Sequence, residues 1–206
     1  MPNSELQKQE KLLELKTATP KNLAKYGHLI QSPLKLDNGN TPYYGEAVVT
    51  TPIPFLSNND TNLTLATLNP RPMEVRWMEY HNKHTQTFIP MEGKPFVAVL
   101  GAPTCRESDG SWNSNAPDHP VLDEVEAFYF DGSCGLVLNI GTWHEFPFAI
   151  AKDTNVIVIL TNETISDLKN IVGDEAEGGD LCKRDLQKRF DIIFKVNEEG
   201  INSSVK

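Results

Sequence analysis

The sequence predicts an all-β protein, a sandwich or barrel of antiparallel strands with short helices at its periphery. Between about residues 28 and 162, short segments rich in β-branched and aromatic residues follow one another, among them GEAVVTT, MEVRWMEY, PFVAVLG and TNVIVILT. Residues typical of tight turns separate these segments, as in DNGN at 37–40, MEGKP at 91–95 and DGSCG at 131–135. Amphipathic helical patterns do not alternate with the segments, which favours an antiparallel architecture.

The first 18 residues are predicted to form an N-terminal helical extension. Residues 4–16 have a helix-forming composition, although their leucines make only an irregular stripe. Thr19 and Pro20 then provide an N-cap and a first-turn proline for a short helix, and Gly27 is suited to end it. The rest of the chain, 19–206, is predicted to form one domain.

The segment after Thr164 is predicted to be a polar C-terminal extension of that domain. It contains a weak helical pattern and then an acidic, glycine-containing stretch, GDEAEGGD, which ends at Asp180. The spacing of its acids is not that of an EF-hand, so a solvated connector is predicted. RFDIIFKV at 189–196 has the pattern of a last strand. The longest stretch without a pattern, 104–124, is predicted to be a loop that forms either the rim of the domain or a lid.

Composition limits the class of protein and its partners. The chain has 206 residues and a formal net charge of −9, which disfavours binding to nucleic acid or to an anionic membrane. It contains no apolar run of about 18 residues and no secretory signal pattern, so a soluble protein of the cytoplasm is predicted. The three cysteines, Cys105, Cys134 and Cys182, include no C-x-x-C pair and are predicted to be free thiols.

Potential metal ligands are concentrated in EYHNKHTQTFIP, residues 79–90. Because alternate side chains of a strand share a face, Glu79 and His81 are predicted to point the same way. Gln86 lies five positions beyond His81, so the chain must break or turn at HNKH before Gln86 and Phe88 can join them. His84 is predicted to be an ordinary surface residue, like His28 and His119.

A second group of such residues lies in GLVLNIGTWHEFPF, where Trp143, His144 and Glu145 follow a β-rich run. The order E-x-H-x4-Q and then G-x-x-H resembles the two motifs of the cupins. Those motifs usually read H-x-H-x3–4-E and G-x-x-H, so Glu79 replaces the first histidine and Gln86 replaces the glutamate.

The similarity extends to the ureidoglycolate lyase family, whose members carry E-x-H-x4-Q-x-F-I-P and a later G-x-W-H. AKYGHLI and DNGNTPYY support the resemblance, which covers roughly residues 20–165. It implies a cupin-type antiparallel β-barrel, or double-stranded β-helix, that is commonly a homodimer. It also implies a lyase that cleaves ureidoglycolate into glyoxylate and urea in allantoin and purine catabolism, with a divalent metal such as nickel.

Carried over by position, the resemblance assigns four residues to the metal or active-site cluster: Glu79, His81, Gln86 and His144. Glu145 joins them as a candidate acid or base, and the candidate substrate contacts are Gln86, Phe88, Trp143 and Tyr44. The chain also departs from the family pattern. Glu145 stands where a second histidine is frequent, Leu138-Asn139 replace a Tyr-His pair, and Tyr43-Tyr44-Gly45 replace Arg-Tyr-His.

Mixed nitrogen and oxygen ligands of this kind suit nickel, manganese, iron or zinc. A 2-hydroxy acid bound to such an ion would lose its hydroxyl proton more readily, which assists elimination of a nitrogen leaving group. Two alternatives stay open. One is another cupin enzyme, an isomerase, decarboxylase or dioxygenase acting on a small oxyacid, and the other is a non-catalytic cupin that binds a small molecule.

Overall fold

Two large sheets enclose the interior of the protein. The computed structural model describes residues 9–31, 41–43, 47–57, 60–105 and 111–201. Within these ranges the chain consists mainly of β-strands, most of them paired antiparallel, with a few short helices. The predicted all-β, cupin-type fold is confirmed.

The described residues form eighteen strands and three α-helices. The strands are β1 (Gln9–Leu13), β2 (Leu15–Thr17), β3 (Gly27–Ile30), β4 (Thr41–Tyr43), β5 (Val48–Thr50), β6 (Thr61–Leu68), β7 (Glu74–Val75), β8 (Trp77–His81), β9 (Gln86–Pro90), β10 (Phe96–Gly101), β11 (Glu126–Phe130), β12 (Gly135–Leu138), β13 (Trp143–His144), β14 (Phe148–Ala149), β15 (Thr154–Thr161), β16 (Ala176–Glu177), β17 (Leu181–Asp185) and β18 (Ile192–Val196). The helices are α1 (Pro20–Leu23), α2 (Asn162–Lys169) and α3 (Leu186–Phe190), and a 3₁₀ turn follows at Glu198–Gly200.

The strand order brings distant segments of the chain together. The eight-stranded sheet has the order β16-β17-β8-β13-β10-β11-β2, with β14 also paired to β10. The five-stranded sheet has the order β3-β12-β9-β15-β6, and a three-stranded sheet has the order β1-β18-β7. β4 and β5 form a separate pair.

Strand β10 shows how the layers pack. Phe96, Ala98 and Leu100 belong to the inner cluster, which fills the space between the eight- and five-stranded sheets. Val97 and Val99 point the other way, into the outer cluster between the eight-stranded sheet and the strands β7 and β18. Burial on both faces explains why this strand is continuously apolar. The inner cluster comprises Leu23, Tyr26, Phe88, Phe96, Ala98, Leu100, Phe128, Phe130, Leu136, Leu138, Val156, Val158 and Leu160.

The predicted N-terminal helical extension is wrong for residues 9–17. They form β1 and β2, which run parallel to β18 and β11 and pair with them. The alternation of a strand turns Leu13 and Leu15 toward the outer cluster and leaves Leu12 64% exposed. Tertiary pairing at the open edges of two sheets therefore overrides the local helix preference. Residues 1–8 lie outside the described part of the chain.

Helix α1 begins where the sequence predicts it. Thr19 caps it, Pro20 occupies the first turn, and Asn22 completes a reciprocal capping box with Thr19. The helix ends earlier than predicted, at Leu23, and Gly27 begins β3.

The turn at DGSCG, which the sequence suggests as a hairpin, instead carries the chain from one large sheet to the other. β11 before it pairs with β10 and β2, whereas β12 after it pairs with β3 and β9. Asp131 accepts hydrogen bonds from the backbone and the hydroxyl of Ser133 and shapes the turn. The change of sheet places β12 against the five-stranded sheet, beside the strand that carries Gln86.

The C-terminal segment is more than a polar extension. β17 pairs with β8 in the eight-stranded sheet, and β18 lies between β1 and β7. Leu186, Ile192 and Phe194 belong to the outer cluster, so this segment completes the core. In the part of the chain that the structure describes, no helix has both the length and the apolar composition needed to cross a membrane.

Candidate metal centre

Three potential ligands converge on the inner face of the eight-stranded sheet. Glu79 and His81 alternate with Met78 and Tyr80, which belong to the outer cluster, so the predicted shared face is present. His144 on β13 lies directly opposite Glu79 on β8. One ligand atom from each of Glu79, His81 and His144 lies within 4.8 Å of those of the other two. Because β13 pairs with β8, two motifs about sixty residues apart in the sequence become neighbours.

The break between His81 and Gln86 is built by backbone hydrogen bonds. The amide of Asn82 donates to the carbonyl of Asp180, and the amide of Lys83 donates to the Asp180 carboxylate. Strand β8 ends at His81 and β9 begins at Gln86 in the opposite sheet, so the predicted break occurs at HNKH. Gln86 therefore approaches the centre from the five-stranded sheet, and its amide side chain is buried.

Hydrogen bonds at Nδ1 orient both histidines. His144 Nδ1 lies 2.8 Å from the carbonyl oxygen of Thr142, so Nδ1 carries the proton and Nε2 keeps its lone pair. His81 Nδ1 lies 3.5 Å from the hydroxyl oxygen of Thr164, which in turn donates to Asp180 over 2.6 Å. Support of this kind is typical of histidines that bind metals through Nε2.

Three buried polar atoms at this place have no hydrogen-bond partner among the described residues: Nε2 of His81, Nε2 of His144 and Oε1 of Gln86. Leaving such atoms unpaired in a protein interior costs roughly 1–3 kcal/mol each. His144 Nε2 also lies 3.9 Å from Glu79 Oε1, longer than a hydrogen bond. Two imidazole nitrogens and a carboxylate that lie together, with an amide side chain next to His81, fit a divalent cation as ligands.

The lowered pKa values of the two histidines favour the neutral imidazoles that bind a metal ion. Burial raises the pKa of Glu79, and the neighbouring Lys183 opposes the shift. Burial lowers the pKa of His144 to about 4, and burial together with His144 and His84 lowers the pKa of His81. Both imidazoles are therefore neutral at pH 7, which is the form that binds a metal ion.

A second group, His81, His84 and Asp180, lies beside the first, and its carboxylate accepts several hydrogen bonds. Asp180 is fully buried, and its Oδ2 accepts hydrogen bonds from the hydroxyls of Thr161 and Thr164. Burial tends to raise the pKa of Asp180, but His84 and Thr164 outweigh it and the pKa is lowered. Through these hydrogen bonds Asp180 supports the centre, while both ring nitrogens of His84 have no hydrogen-bond partner among the described residues.

Two predictions about this group are wrong. His84, expected at the surface, is buried, and its Nδ1 lies 2.8 Å from Asp180 Oδ2, although the two atoms are not aligned for a hydrogen bond. Asp180, expected in a solvated connector, anchors the HNKH turn. The second histidine of HNKH, so close to His81, was a sequence signal that His84 could lie at the centre. The sequence contains no comparable signal for the burial of Asp180, because that burial depends on β17 pairing with β8.

Glu145 is a second half-buried carboxyl group beside the candidate ligands. Its Oε1 accepts a hydrogen bond from Arg71 Nη2 over 3.1 Å, and Arg71 also stacks on the ring of Phe148. Burial raises the pKa of Glu145 to about 7, with a smaller contribution from Glu79, while Arg71 and Lys183 oppose the shift. In a continuous strand, Glu145 would have to face the side opposite His144. Because β13 ends at His144, this constraint does not apply to Glu145.

The predicted substrate contacts occupy different places. Phe88 packs with its ring centre 6.2 Å from that of His144 and forms a wall of the centre. Trp143 does not: it points into the outer cluster, contacts the ring of Tyr80 and donates a hydrogen bond to Thr104. The prediction for Trp143 is therefore wrong, because adjacent residues of β13 face opposite sides of the sheet. Tyr44 lies outside the described residues.

An open cleft of about 440 Å³ lies elsewhere, over the turn that leads into β12. Its lining is mainly aliphatic and hydroxyl-bearing and includes Cys134 but no histidine or carboxylate. Burial raises the pKa of Cys134, which disfavours the reactive thiolate. The chemistry of the described residues is therefore concentrated at Glu79, His81 and His144 and not in this cleft.

Comparison with known proteins agrees with the geometry. A family model described as ureidoglycolate lyase matches residues 10–177. A ureidoglycolate lyase from Azotobacter vinelandii is 25% identical over 154 residues, which cover 72% of this chain and 84% of that protein. One from Pseudomonas paraeruginosa is 28% identical over 154 residues, 71% of this chain and 82% of that protein. One from Escherichia coli O1:K1 is 25% identical over 140 residues, which cover 65% of this chain and 78% of that protein.

Proposed function

The chain belongs to the ureidoglycolate lyase family, and we propose that it cleaves ureidoglycolate into glyoxylate and urea. The observation that carries the proposal is the convergence of two unpaired imidazole nitrogens and a carboxylate on the inner face of the eight-stranded sheet, with the buried side chain of Gln86 next to His81. Relatives that share most of their length with this chain bear the name of that activity.

The ligand set supports one bound divalent cation, for which we propose nickel, manganese, iron or zinc. Glu79, His81, Gln86 and His144 would hold it through one carboxylate oxygen, two Nε2 atoms and one amide oxygen. When bound, the cation supplies Lewis acidity that lowers the pKa of the substrate hydroxyl and stabilises the carbonyl that forms. Fewer than six protein ligands leave room for a small hydroxy acid.

The reaction itself requires two proton transfers. The hydroxyl of ureidoglycolate loses its proton as its oxygen becomes the aldehyde carbonyl of glyoxylate, the C–N bond breaks, and the urea nitrogen gains a proton. We propose that Glu145 carries one of these transfers. It is half-buried beside Glu79, and the Arg71 hydrogen bond holds its carboxyl group in place. Phe88 and Phe146, whose rings contact each other, exclude water from this side.

A turnover assay on the metal-loaded protein tests the proposal. Release of urea and glyoxylate from ureidoglycolate is expected for the wild type. His81→Ala is expected to lose both bound metal and activity, whereas His28→Ala, which changes an exposed histidine of β3, should keep both. Equal activity in the wild type and His81→Ala would overturn the site. A wild type that binds a divalent ion but does not cleave ureidoglycolate would overturn the reaction.

We also propose that the protein is a homodimer of the cytoplasm. The outer face of the five-stranded sheet supports the dimer because it is apolar. Leu63 and Leu65 on the edge strand β6 are exposed by 71% and 61%, and they lie opposite Ile159 and Ile157 of β15. An apolar sheet face of this kind is suited to burial against the same face of a second copy.

A further inference from the structure

The family match ends at residue 177, but the chain continues into the candidate centre. Strand β17, Leu181–Asp185, pairs with β8, the strand that carries Glu79 and His81. In this register Leu181 lies opposite His81 and Lys183 lies opposite Glu79. Residues beyond the matched region therefore form one side of the centre.

The alternation of β17 determines which of its side chains reach the centre. Cys182 belongs to the outer cluster, and Arg184 bonds to Asp118 and Glu177 away from the ligands. Lys183 has the opposite orientation and shares the face of Glu79. Its Nζ lies 3.8 Å from Glu79 Oε2, and its side chain is 24% exposed. The ammonium group thus lies at the edge of the centre, between the ligands and solvent.

The charge balance of the centre requires a cation for an acidic substrate. Glu79 and Glu145 are both carboxyl groups at this place, and the proposed divalent cation would offset two negative charges. A third carboxylate, brought in by the substrate, is therefore unfavourable without a further positive partner. Arg71 is already bound to the Glu145 carboxylate and the Phe146 carbonyl. Within the part of the chain that the structure describes, Lys183 makes only a long contact of 3.8 Å with Glu79, so its donors remain available to a ligand.

We propose that Lys183 binds the carboxylate of the substrate, and that the segment after residue 177 thereby sets the preference of this protein for a substrate that carries a carboxylate. The inference rests on the proposed function. In the bound state the ammonium donates to the substrate carboxylate at the mouth of the centre. This fixes the hydroxyl-bearing carbon near Glu79 and Glu145. Lys183 is a substrate-binding residue and not a metal ligand.

Kinetics of three variants test the proposal: Lys183→Met, Lys183→Arg and the control Lys195→Met. Lys195 also lies on a strand of the C-terminal segment and pairs with Glu10 and Glu74. Lys183→Met is expected to raise KM for ureidoglycolate at least about tenfold and to change kcat by less than about threefold. This is the effect of losing a contact that binds the substrate and the transition state equally well. Lys183→Arg should recover most of the loss, and Lys195→Met should resemble the wild type. Metal content should be equal in all variants.

A direct binding measurement separates this inference from the proposed reaction. Glyoxylate and glycolate, titrated calorimetrically into metal-loaded protein, should bind Lys183→Met at least about tenfold more weakly than the wild type, whether or not ureidoglycolate is cleaved. Equal affinity of both probes for wild type and Lys183→Met, or no binding to either, would overturn the role of Lys183. Loss of metal or of kcat with KM unchanged would also overturn it and would make Lys183 a neutralising partner of Glu79. Failure of the wild type to cleave ureidoglycolate, with the difference in binding intact, would overturn only the reaction.

Discussion

At the scale of single residues, the candidate centre depends on hydrogen bonds that lie behind the ligands. The hydroxyl of Thr164 links His81 to Asp180: it lies 3.5 Å from His81 Nδ1 and donates to Asp180 over 2.6 Å. Asp180 also holds the turn after His81 through the amide of Lys83. One carboxylate therefore fixes both the orientation of a ligand and the path of the chain behind it.

Thr164→Val should weaken metal binding about tenfold or more while leaving the fold intact. Valine has nearly the same volume but cannot accept from His81 Nδ1 or donate to Asp180, and loss of such supporting groups typically costs 10–100-fold in metal affinity. Thr67→Val is a matched control, since Thr67 lies on β6 and its hydroxyl donates only to Asn155 among the described residues. Competition with a chelator measures the affinity, and equal values for both variants would contradict the relay.

Glu145→Gln should reduce turnover by roughly 10²–10⁴-fold, the range for removing a general acid or base. Glutamine keeps the shape and can still meet Arg71, so metal content and melting temperature should stay close to those of the wild type. Glu74→Gln, which changes a carboxylate that pairs with Lys195 outside the centre, is the control. Undiminished turnover with normal metal content would remove Glu145 from the mechanism.

At the scale of secondary-structure elements, residues 9–17 show that pairing with the open edge of a sheet can outweigh a local preference for helix. β1 and β2 each extend an existing sheet, and the intervening Glu14 lets the chain pass from β18 to β11. Leu13 and Leu15 gain burial against the outer cluster, which an isolated helix would not provide.

A pair of alanine substitutions distinguishes this strand from a helix. Leu15→Ala should lower the free energy of unfolding by roughly 1–2 kcal/mol, because a partly buried leucine leaves the outer cluster. Leu12→Ala should change it by less than about 0.5 kcal/mol, since Leu12 is 64% exposed. Urea denaturation measures both. Similar losses for Leu12 and Leu15 would instead favour a helix, in which residues three apart share a face.

The C-terminal elements are joined to the 111–124 region by ion pairs. Arg189 on α3 binds both Glu175 and Asp118, and Arg184 on β17 also reaches Asp118. Hydrogen bonding to Arg189 lowers the pKa of Glu175 to about 2, against the effect of burial. Because the pKa is depressed in the folded protein, this pair stabilises the fold above pH 4.5, and its contribution disappears as the pH falls toward 2.

Glu175→Gln should therefore lower the free energy of unfolding at pH 7 by up to about 1 kcal/mol, as expected for an ion pair near the surface. The wild type should lose stability more steeply than the variant between pH 4.5 and about 2, so that the two curves converge at the acid end. Urea denaturation at several pH values measures the difference. A constant difference across this range would show that Glu175 acts by packing and not by charge.

At the scale of the whole molecule, the two large sheets have different neighbours. The eight-stranded sheet is covered on one face by the inner cluster and on the other by the outer cluster. The five-stranded sheet has the inner cluster on one face, and its other face carries the exposed Leu63 and Leu65. This asymmetry supports association through the five-stranded sheet.

Light scattering of the wild type should give the mass of a dimer, about twice the 23.0 kDa of the chain. Leu63→Asp combined with Leu65→Asp should shift the population to monomers, because two charges on an apolar face oppose its burial. Leu12→Asp is the control, being an equally exposed leucine on the N-terminal strand. A dimer that survives both substitutions at β6 would place the interface elsewhere.

Several features follow from the sequence alone, because they depend on local chemistry. Alternation along WMEYH, residues 77–81, places Glu79 and His81 on one face whatever the partner strand. The capping residues Thr19 and Pro20 start α1 in the same way. The spacing of the glutamate, histidines and glutamine also identifies the family that the chain belongs to. These signals are contained within a few consecutive residues.

Other features were decided by pairing between distant segments. Asp180 and Lys183 reach the centre only because β17 pairs with β8, a contact across about a hundred residues that no local pattern encodes. Trp143 lies away from the centre because β10 and β8 flank β13 and fix which of its faces points inward. The sequence by itself determined the candidate ligands, the strand character of the central segments and the family. Only the tertiary structure decided which buried groups support those ligands, since burial depends on strand register and sheet order.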